Sequence, residues 1–240
     1  MPNKISVRID GELVTAHEDE TILDAARANG KHIPTLCYLK GLSAVGACRV
    51  CLVELSGTGR LLPACTTPIQ EGMSIRTVSA KLTQYRRMAV ELLLAERNHV
   101  CSSCVSNGHC ELQSLAQSLG VTHVRFAYSN PRVPVDMTHP RFVLDQNRCI
   151  LCTRCVRVCA ELEGANVREV ASRGISSRII TDQNEEWGRA GNCTGCGKCV
   201  QACPTGALAE KGFAVREMVK RSELVSRLAI QRTGPARESI

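Results

Sequence analysis

The sequence predicts an α+β chain built from three small modules, and three observations carry that expectation. An alternating strand, a tight turn, a return strand and a short capped helix open the chain. One long stretch of helical apolar spacing follows residue 79, and a Cys-x2-Cys-x2-Cys-x3-Cys run then occurs twice.

Taken in order, Ile5, Val7 and Ile9 alternate as the inward face of a strand, Asp10-Gly11 supplies the turn, and Leu13 to Thr15 return beside it. Thr21 and Asp24 have capping-box spacing, which predicts a helix from Ile22 to Asn29 closed by Gly30. A cysteine-bearing loop comes next, and Arg49 to Leu55 reads as the following strand, with Gly57 and Gly59 as a hairpin turn. Hairpin, helix, loop and strand are the β-grasp order, assigned to residues 1–78. Leu82, Met88, Ala89, Leu92 and Leu93 give helical spacing from Ser79 to about Glu96, and Glu111 to Leu119 reads as a second helix ended by Gly120. Residues 79–140 are therefore expected to be mainly helical. Pro131, Pro134 and Pro140 mark an irregular bridge to residues 141–212, which hold the duplicated cysteine runs. In the tail, 213–240, one helical face is expected from Val215, Met218, Val219, Val225, Leu228 and Ala229, before the polar end Gln231 to Ile240. Such a face packs on its own chain or docks a partner.

The fifteen cysteines fall into four groups with none left over. Disulfides need an oxidising compartment, and the N-terminus shows no apolar export segment, so the expectation is a cytoplasmic protein with metal-bound thiolates. Cys149, Cys152, Cys155 and Cys159, repeated as Cys193, Cys196, Cys199 and Cys203 before Pro204, have the spacing of a bacterial two-cluster ferredoxin rather than of paired zinc knuckles. In that pattern three cysteines on a tight loop cap one 4Fe-4S centre while the fourth, starting a helix, reaches the other. The expected sets are Cys149, Cys152, Cys155 with Cys203, and Cys193, Cys196, Cys199 with Cys159. Gly195 and Gly197 serve either backbone approach to the inorganic sulfurs or simply a tight turn. Cys37, Cys48, Cys51 and Cys65 keep the Cys-x2-Cys core and distant fourth cysteine of a 2Fe-2S ferredoxin, with zinc as the other reading. Cys101, Cys104 and Cys110 lack a fourth ligand, for which His99 is favoured over His109 to complete a third 4Fe-4S site.

This order of centres resembles the N-terminal region of the large iron-sulfur subunit of respiratory complex I, iron-only hydrogenases and NAD-dependent formate dehydrogenases. The segments Glu96 to Cys101, Asn107 to Gln113 and Asn147 to Cys159 more closely resemble the small, HoxU-type diaphorase subunit of bidirectional NAD(P)-linked nickel-iron hydrogenases. In the complex I pattern the histidine lies four residues before the first cysteine, where this chain has Arg97; the diaphorase resemblance suggests the His99-x-Cys101 arrangement instead. The resemblance implies a hetero-oligomeric oxidoreductase in which a flavin subunit with FMN takes hydride from NAD(P)H. This chain then passes single electrons onward, and a hydrogenase small subunit in the nickel-iron module receives them. The detached relay of a formate dehydrogenase or complex I-like enzyme is the alternative, and a zinc scaffold or iron-sulfur sensor a different class.

The rest of the sequence is expected to carry no catalytic centre. Only about thirty residues follow the last cysteine run, too few for a further domain. No G-x-G-x-x-G follows a strand, and no nucleophile or paired-carboxylate constellation is recognisable. The formal charge of +7 raises the question of nucleic acid, but aromatic residues are only 3%, which leaves little to stack on bases. Oxidised clusters bring about −2 for each four-thiolate centre and about −1 with one histidine ligand, roughly −7 together. The basic excess, including Arg49, Arg148, Arg154, Arg157 and Lys198 among the ligands, is therefore expected to balance the clusters. No apolar run approaches the roughly 20 residues that span a bilayer, so direct membrane insertion is not expected.

Overall fold

The computed structural model describes residues 3–233. The first module begins with β1 (Lys4–Ile9) and β2 (Glu12–His17), joined by Asp10 and Gly11, both in the left-handed region that a two-residue hairpin requires. Ile5, Val7 and Ile9 all point inward, as the alternation predicts. α1 (Ile22–Ala28) starts at a complete capping box, in which Thr21 Oγ1 accepts from the Asp24 N–H and the Asp24 carboxylate accepts from the Thr21 N–H. It ends one residue before the expected Asn29, which caps it.

The next strands are β3 (Leu52–Leu55), β4 (Leu61–Pro63) and β5 (Ser74–Arg76). β3 starts three residues later than expected because Arg49, at φ +56°, breaks the extended path and leaves Cys48 and Cys51 on a loop. Sheet order is β2-β1-β5-β3-β4, with β1 and β5 parallel and the other pairs antiparallel. Ile22, Leu23, Ala25 and Ala26 of α1 close one face, and Cys51 and Cys65 belong to the same core.

α2 (Ala80–Glu96) is capped by Ser79, whose Oγ accepts from the Leu82 N–H. Its buried face differs from the expected apolar stripe. Leu82, Arg86, Val90, Glu91 and Ala95 turn inward, whereas Leu92 is exposed. Partners hold both charges: Arg86 Nη2 donates to the Leu52 and Thr77 carbonyls at 2.7 and 3.0 Å, and Glu91 accepts from Arg125. α3 (Glu111–Ser118) follows, with Gly120 at φ +66° just beyond it.

Two small sheets that the cysteine pattern does not announce follow, one of them reaching back to Val135–Asp136 within the stretch expected to be an irregular bridge. β6 (Val135–Asp136) and β7 (Phe142–Asp145) precede α4 (Arg154–Arg157), which runs into a wider π-type turn over Val158–Glu163. β8 (Arg168–Ala171) and β9 (Arg178–Thr181) form a hairpin, α5 (Lys198–Ala202) repeats α4, and β10 (Leu208–Glu210) pairs with β7. Trp187 is fully buried, stacked near Phe142 and His139, with the Arg168 guanidinium 3.6 Å from its ring centre.

α6 (Ser222–Thr233) is shorter than the tail helix expected from Val215 onward. Val215 and Val219 are exposed, and Met218 is buried in the core of the third module. Val225 and Ala229 pack with Leu39, Leu42, Val158 and Leu162, so this face of α6 covers the seam between the first and third modules. Residues 234–240 of the expected polar end lie outside the described residues. Among those described, no helix is long and apolar enough to cross a membrane.

Candidate metal centres

The loop between α1 and β3, with the end of β4, brings Cys37, Cys48, Cys51 and Cys65 together, and all four are buried. The Cys37 N–H donates to Cys48 Sγ at 3.4 Å, and Cys51 and Cys65 Sγ lie 3.3 Å apart. Hydrogen bonds from Cys48 and then Cys65 hold the Cys37 thiol down at about 2, and Cys65 is pushed up by its bonds to Cys37 and Cys51. Protons are thus shared within a tight group of thiols whose charge an iron centre would neutralise.

Downstream of α2, Cys101, Cys104 and Cys110 line a cavity together with His99, Arg148, Thr205 and Gly206. Nε2 of His99 is buried without a hydrogen-bond partner, although the same side chain bonds the Leu93 backbone. Burial is the main reason that His99 is lowered to about 4, so its imidazole is neutral and has a lone pair facing the cavity. His109 is exposed and does not line the cavity. The geometry favours His99. Replacing His99 by Ala is expected to remove the signal of one 4Fe-4S centre, whereas His109→Ala retains it. Electron paramagnetic resonance of the dithionite-reduced protein checks this, and equal loss in both variants would contradict it.

The duplicated runs form two further cavities. One is lined by Cys149, Cys152, Cys155 and Cys203, the other by Cys159, Cys193, Cys196 and Cys199. Each cavity thus takes three cysteines from one run and the last from the other. The fourth cysteine does not start a helix, however. Cys155 and Cys199 stand in the first turns of α4 and α5, while Cys159 lies in the π-type turn and Cys203 follows the end of α5. The helices start early because Thr153 and Gly197, at φ +57° and +72°, end the loops immediately before them. Leu151 and Gly195 are also left-handed, at +49° and +64°. The two repeats therefore demand the same turn, which the second meets with glycine and the first with strained Leu and Thr. Tight turning is accordingly a sufficient reason for Gly195 and Gly197.

Burial pushes Cys149 and Cys152 up to about 12, Cys199 and Cys110 to about 11, and Cys155 upward as well. Such thiols ionise only when a cationic core supplies the compensating charge. Among the described residues, no three His, Cys, Asp or Glu side chains converge as a bare ion requires. At the three sites outside the β-grasp module the donors line small cavities. The thiols and the unpartnered His99 Nε2 are donors of the type that iron-sulfur clusters take.

Iron-sulfur family models match along the chain. Residues 2–80 match the family model of a 2Fe-2S iron-sulfur cluster binding domain. Residues 86–125 match the iron-sulfur binding region of NADH-ubiquinone oxidoreductase-G, and 140–209 the ferredoxin-like domain of NADH-quinone oxidoreductase subunit 3. The NAD-reducing hydrogenase HoxS subunit gamma of Cupriavidus necator is 36% identical over 218 residues, which cover 90% of this chain and 92% of that protein. The chain belongs to the HoxS gamma family of iron-sulfur electron-transfer subunits. A crystal structure of an NAD+-reducing NiFe hydrogenase in the H2-reduced state contains a chain with TM-score 0.80 and 36% identity, matched over 88% of both chains. The NADPH-Fe(3+) oxidoreductase subunit alpha of Geobacter sulfurreducens is 41% identical over 88% of this chain, which spans only 25% of that longer relative.

Contacts around the family's cysteines include residues that spacing does not reveal. Gly206 lies so close to the middle module that an added Cβ would stand 2.3 Å from Cys104 Sγ. Trp187 Nε1 donates to Cys193 Sγ at 3.3 Å. A glycine three residues after the last cysteine, and the single tryptophan of a chain poor in aromatics, were the available signals.

Proposed function

We propose that this chain relays single electrons between a flavin subunit that oxidises NAD(P)H and the small subunit of a nickel-iron hydrogenase module. In this reading it holds one 2Fe-2S centre on Cys37, Cys48, Cys51 and Cys65, and 4Fe-4S centres on the other three sets, with His99 in the middle module. When bound, these clusters supply one-electron redox centres that neither the side chains nor the backbone can provide. FMN, NAD(P) and the nickel-iron site belong to the partners.

The observation that carries the reading is the grouping of fifteen cysteines and one orphaned imidazole into four four-donor sites, in a chain that matches HoxS gamma nearly end to end. Contacts between sites support a central position for the Cys149 set. Arg157, buried, donates to the carbonyls of Cys37 and Cys152 at 2.5 and 3.0 Å and so ties the β-grasp site to the Cys149 set. Cys110 Sγ lies 3.5 Å from the Pro204 carbonyl, next to Cys203. The crossed positions of Cys159 and Cys203 join the two sites of the third module. Rigid buried links of this kind keep neighbouring sites at constant separation and exclude water between them.

Anaerobic purification from the native source with partners intact tests the proposal. The expected preparation contains flavin and nickel and reduces NAD(P)+ with hydrogen, and each copy of this chain, separated from its partners, accounts for roughly 14 irons. A molybdenum-containing partner in place of nickel would transfer the reading to formate oxidation. Stoichiometric zinc, or a colourless protein silent on reduction, would overturn it.

A further inference from the structure

Lys220 lies beyond the duplicated runs, in the stretch expected to present one apolar helical face. Two backbone bonds strap that stretch across the seam between the middle and third modules. Arg216 N–H reaches the Cys104 carbonyl at 3.3 Å, and Met218 N–H reaches the Val105 carbonyl at 3.0 Å, with the Met218 side chain buried in the core of the third module. Lys220 is thereby turned inward. Its ammonium donates to the Val200 carbonyl at 3.0 Å and to the Leu208 carbonyl, while part of its stem reaches the surface. Val200 adjoins Cys199 on α5 and precedes Cys203 by three residues, so the ammonium abuts the helix that supplies donors to both sites of the third module.

Among the described residues no carboxylate pairs with Lys220. An enclosed ammonium held only by carbonyl dipoles is a charge without a counter-ion, which proteins otherwise avoid. Burial pulls Lys220 below the ordinary lysine value, and Cys203, Cys199, Cys110 and Cys104 oppose that pull in this order. These four residues represent all three sites outside the β-grasp module, and none belongs to the Cys37 set.

We propose that Lys220 is the shared counter-ion of the three 4Fe-4S sites and raises their reduction potentials together. The inference rests on the cluster assignment above. Each centre gains one electron, and therefore one negative charge, when reduced. A positive charge held in a low-dielectric seam favours that state at every site within its reach. Lys220 is a positioning residue in this scheme, since it touches neither substrate nor a transferred group.

The test is a dithionite titration of the anaerobically purified complex, followed by electron paramagnetic resonance, for wild type, Lys220→Gln and Lys220→Arg. Glutamine keeps donors for the two carbonyls but loses the charge. The three 4Fe-4S midpoints are expected to fall in Lys220→Gln, by about tenfold in the reduction equilibrium, or about 59 mV, at the nearest sites. The 2Fe-2S midpoint stays in place, and Lys220→Arg retains all four values. Unmoved 4Fe-4S midpoints, a shift at only one of them, or an equal shift at the 2Fe-2S centre would overturn the proposal. Should Lys220→Gln lose iron, loading by Lys220→Arg but not by Lys220→Met supports the counter-ion, and equal loss in both contradicts it. Absent wild-type signals would instead refute the cluster assignment itself.

Discussion

Anaerobic removal of iron is expected to lower the midpoint of thermal unfolding by about 10–20 °C, which corresponds to about 5 kcal/mol in a chain of this size. The reason lies in where the cysteines sit. Cys51 and Cys65 are part of the β-grasp core, Cys37, Cys48 and Cys152 share a core with Val50, Val90 and Leu112, and Cys149, Cys155 and Cys203 share one with Phe142 and Trp187. Each of these cores is small, and the cluster sites are spaces inside or beside them rather than attachments to a finished fold. Losing a cluster leaves an internal void and a set of thiols without their cation, so packing and electrostatics worsen together. Differential scanning calorimetry of holo and chelated protein under argon measures the effect. Midpoints that agree within about 2 °C would mean that the fold stands without its clusters.

Arg154→Met is the single substitution expected to cost most, about 2–4 kcal/mol. Arg154 is 2% exposed, and its guanidinium joins all three modules. It forms a bidentate pair with Glu111 of α3 at 2.7 and 2.8 Å, and it also donates to the Tyr38 carbonyl at 2.9 Å and the Ala202 carbonyl at 3.4 Å. A methionine fills part of the volume but leaves the Tyr38 and Ala202 carbonyls short of a donor and Glu111 unpaired. Lysine is no substitute, because one ammonium cannot reproduce the planar fork. Arg189→Met provides the comparison: its pair with Glu186 has side chains 72% and 55% exposed, and its loss costs under about 1 kcal/mol. Urea titrations of the holo variants, with unfolding read at the cluster absorbance, distinguish the two. Similar midpoints for both variants would show that the seam is held by packing alone.

Much of the first module was legible because its signals are local. Alternation in Ile5, Val7 and Ile9, the Asp10-Gly11 turn and the Thr21–Asp24 box each act over a few residues, and each appears where expected. The inward face of α2 was misread because two of its buried positions are Arg86 and Glu91, whose partners lie in β3, after β5 and in a later loop. Helical periodicity records hydrophobicity and is blind to a buried charge that a distant carbonyl satisfies. The tail was misread for a related reason. Met218 and Val225 are both buried, but in different cores, the first in an irregular stretch before α6, so one helical face does not describe them.

Residue spacing by itself pointed to the grouping of candidate donors, since reach around one small site is set by a few bonds of backbone. The cavities of the third module are lined by the cysteines it grouped, Cys203 beside the Cys149 run and Cys159 beside the Cys193 run. That His99 Nε2 is buried without a partner while His109 is exposed, how Arg157 links Cys37 to Cys152, and that Lys220 turns in to the Val200 carbonyl are visible only in the tertiary structure. These depend on burial and on contacts between segments up to 120 residues apart, and no local pattern encodes a distance across a seam.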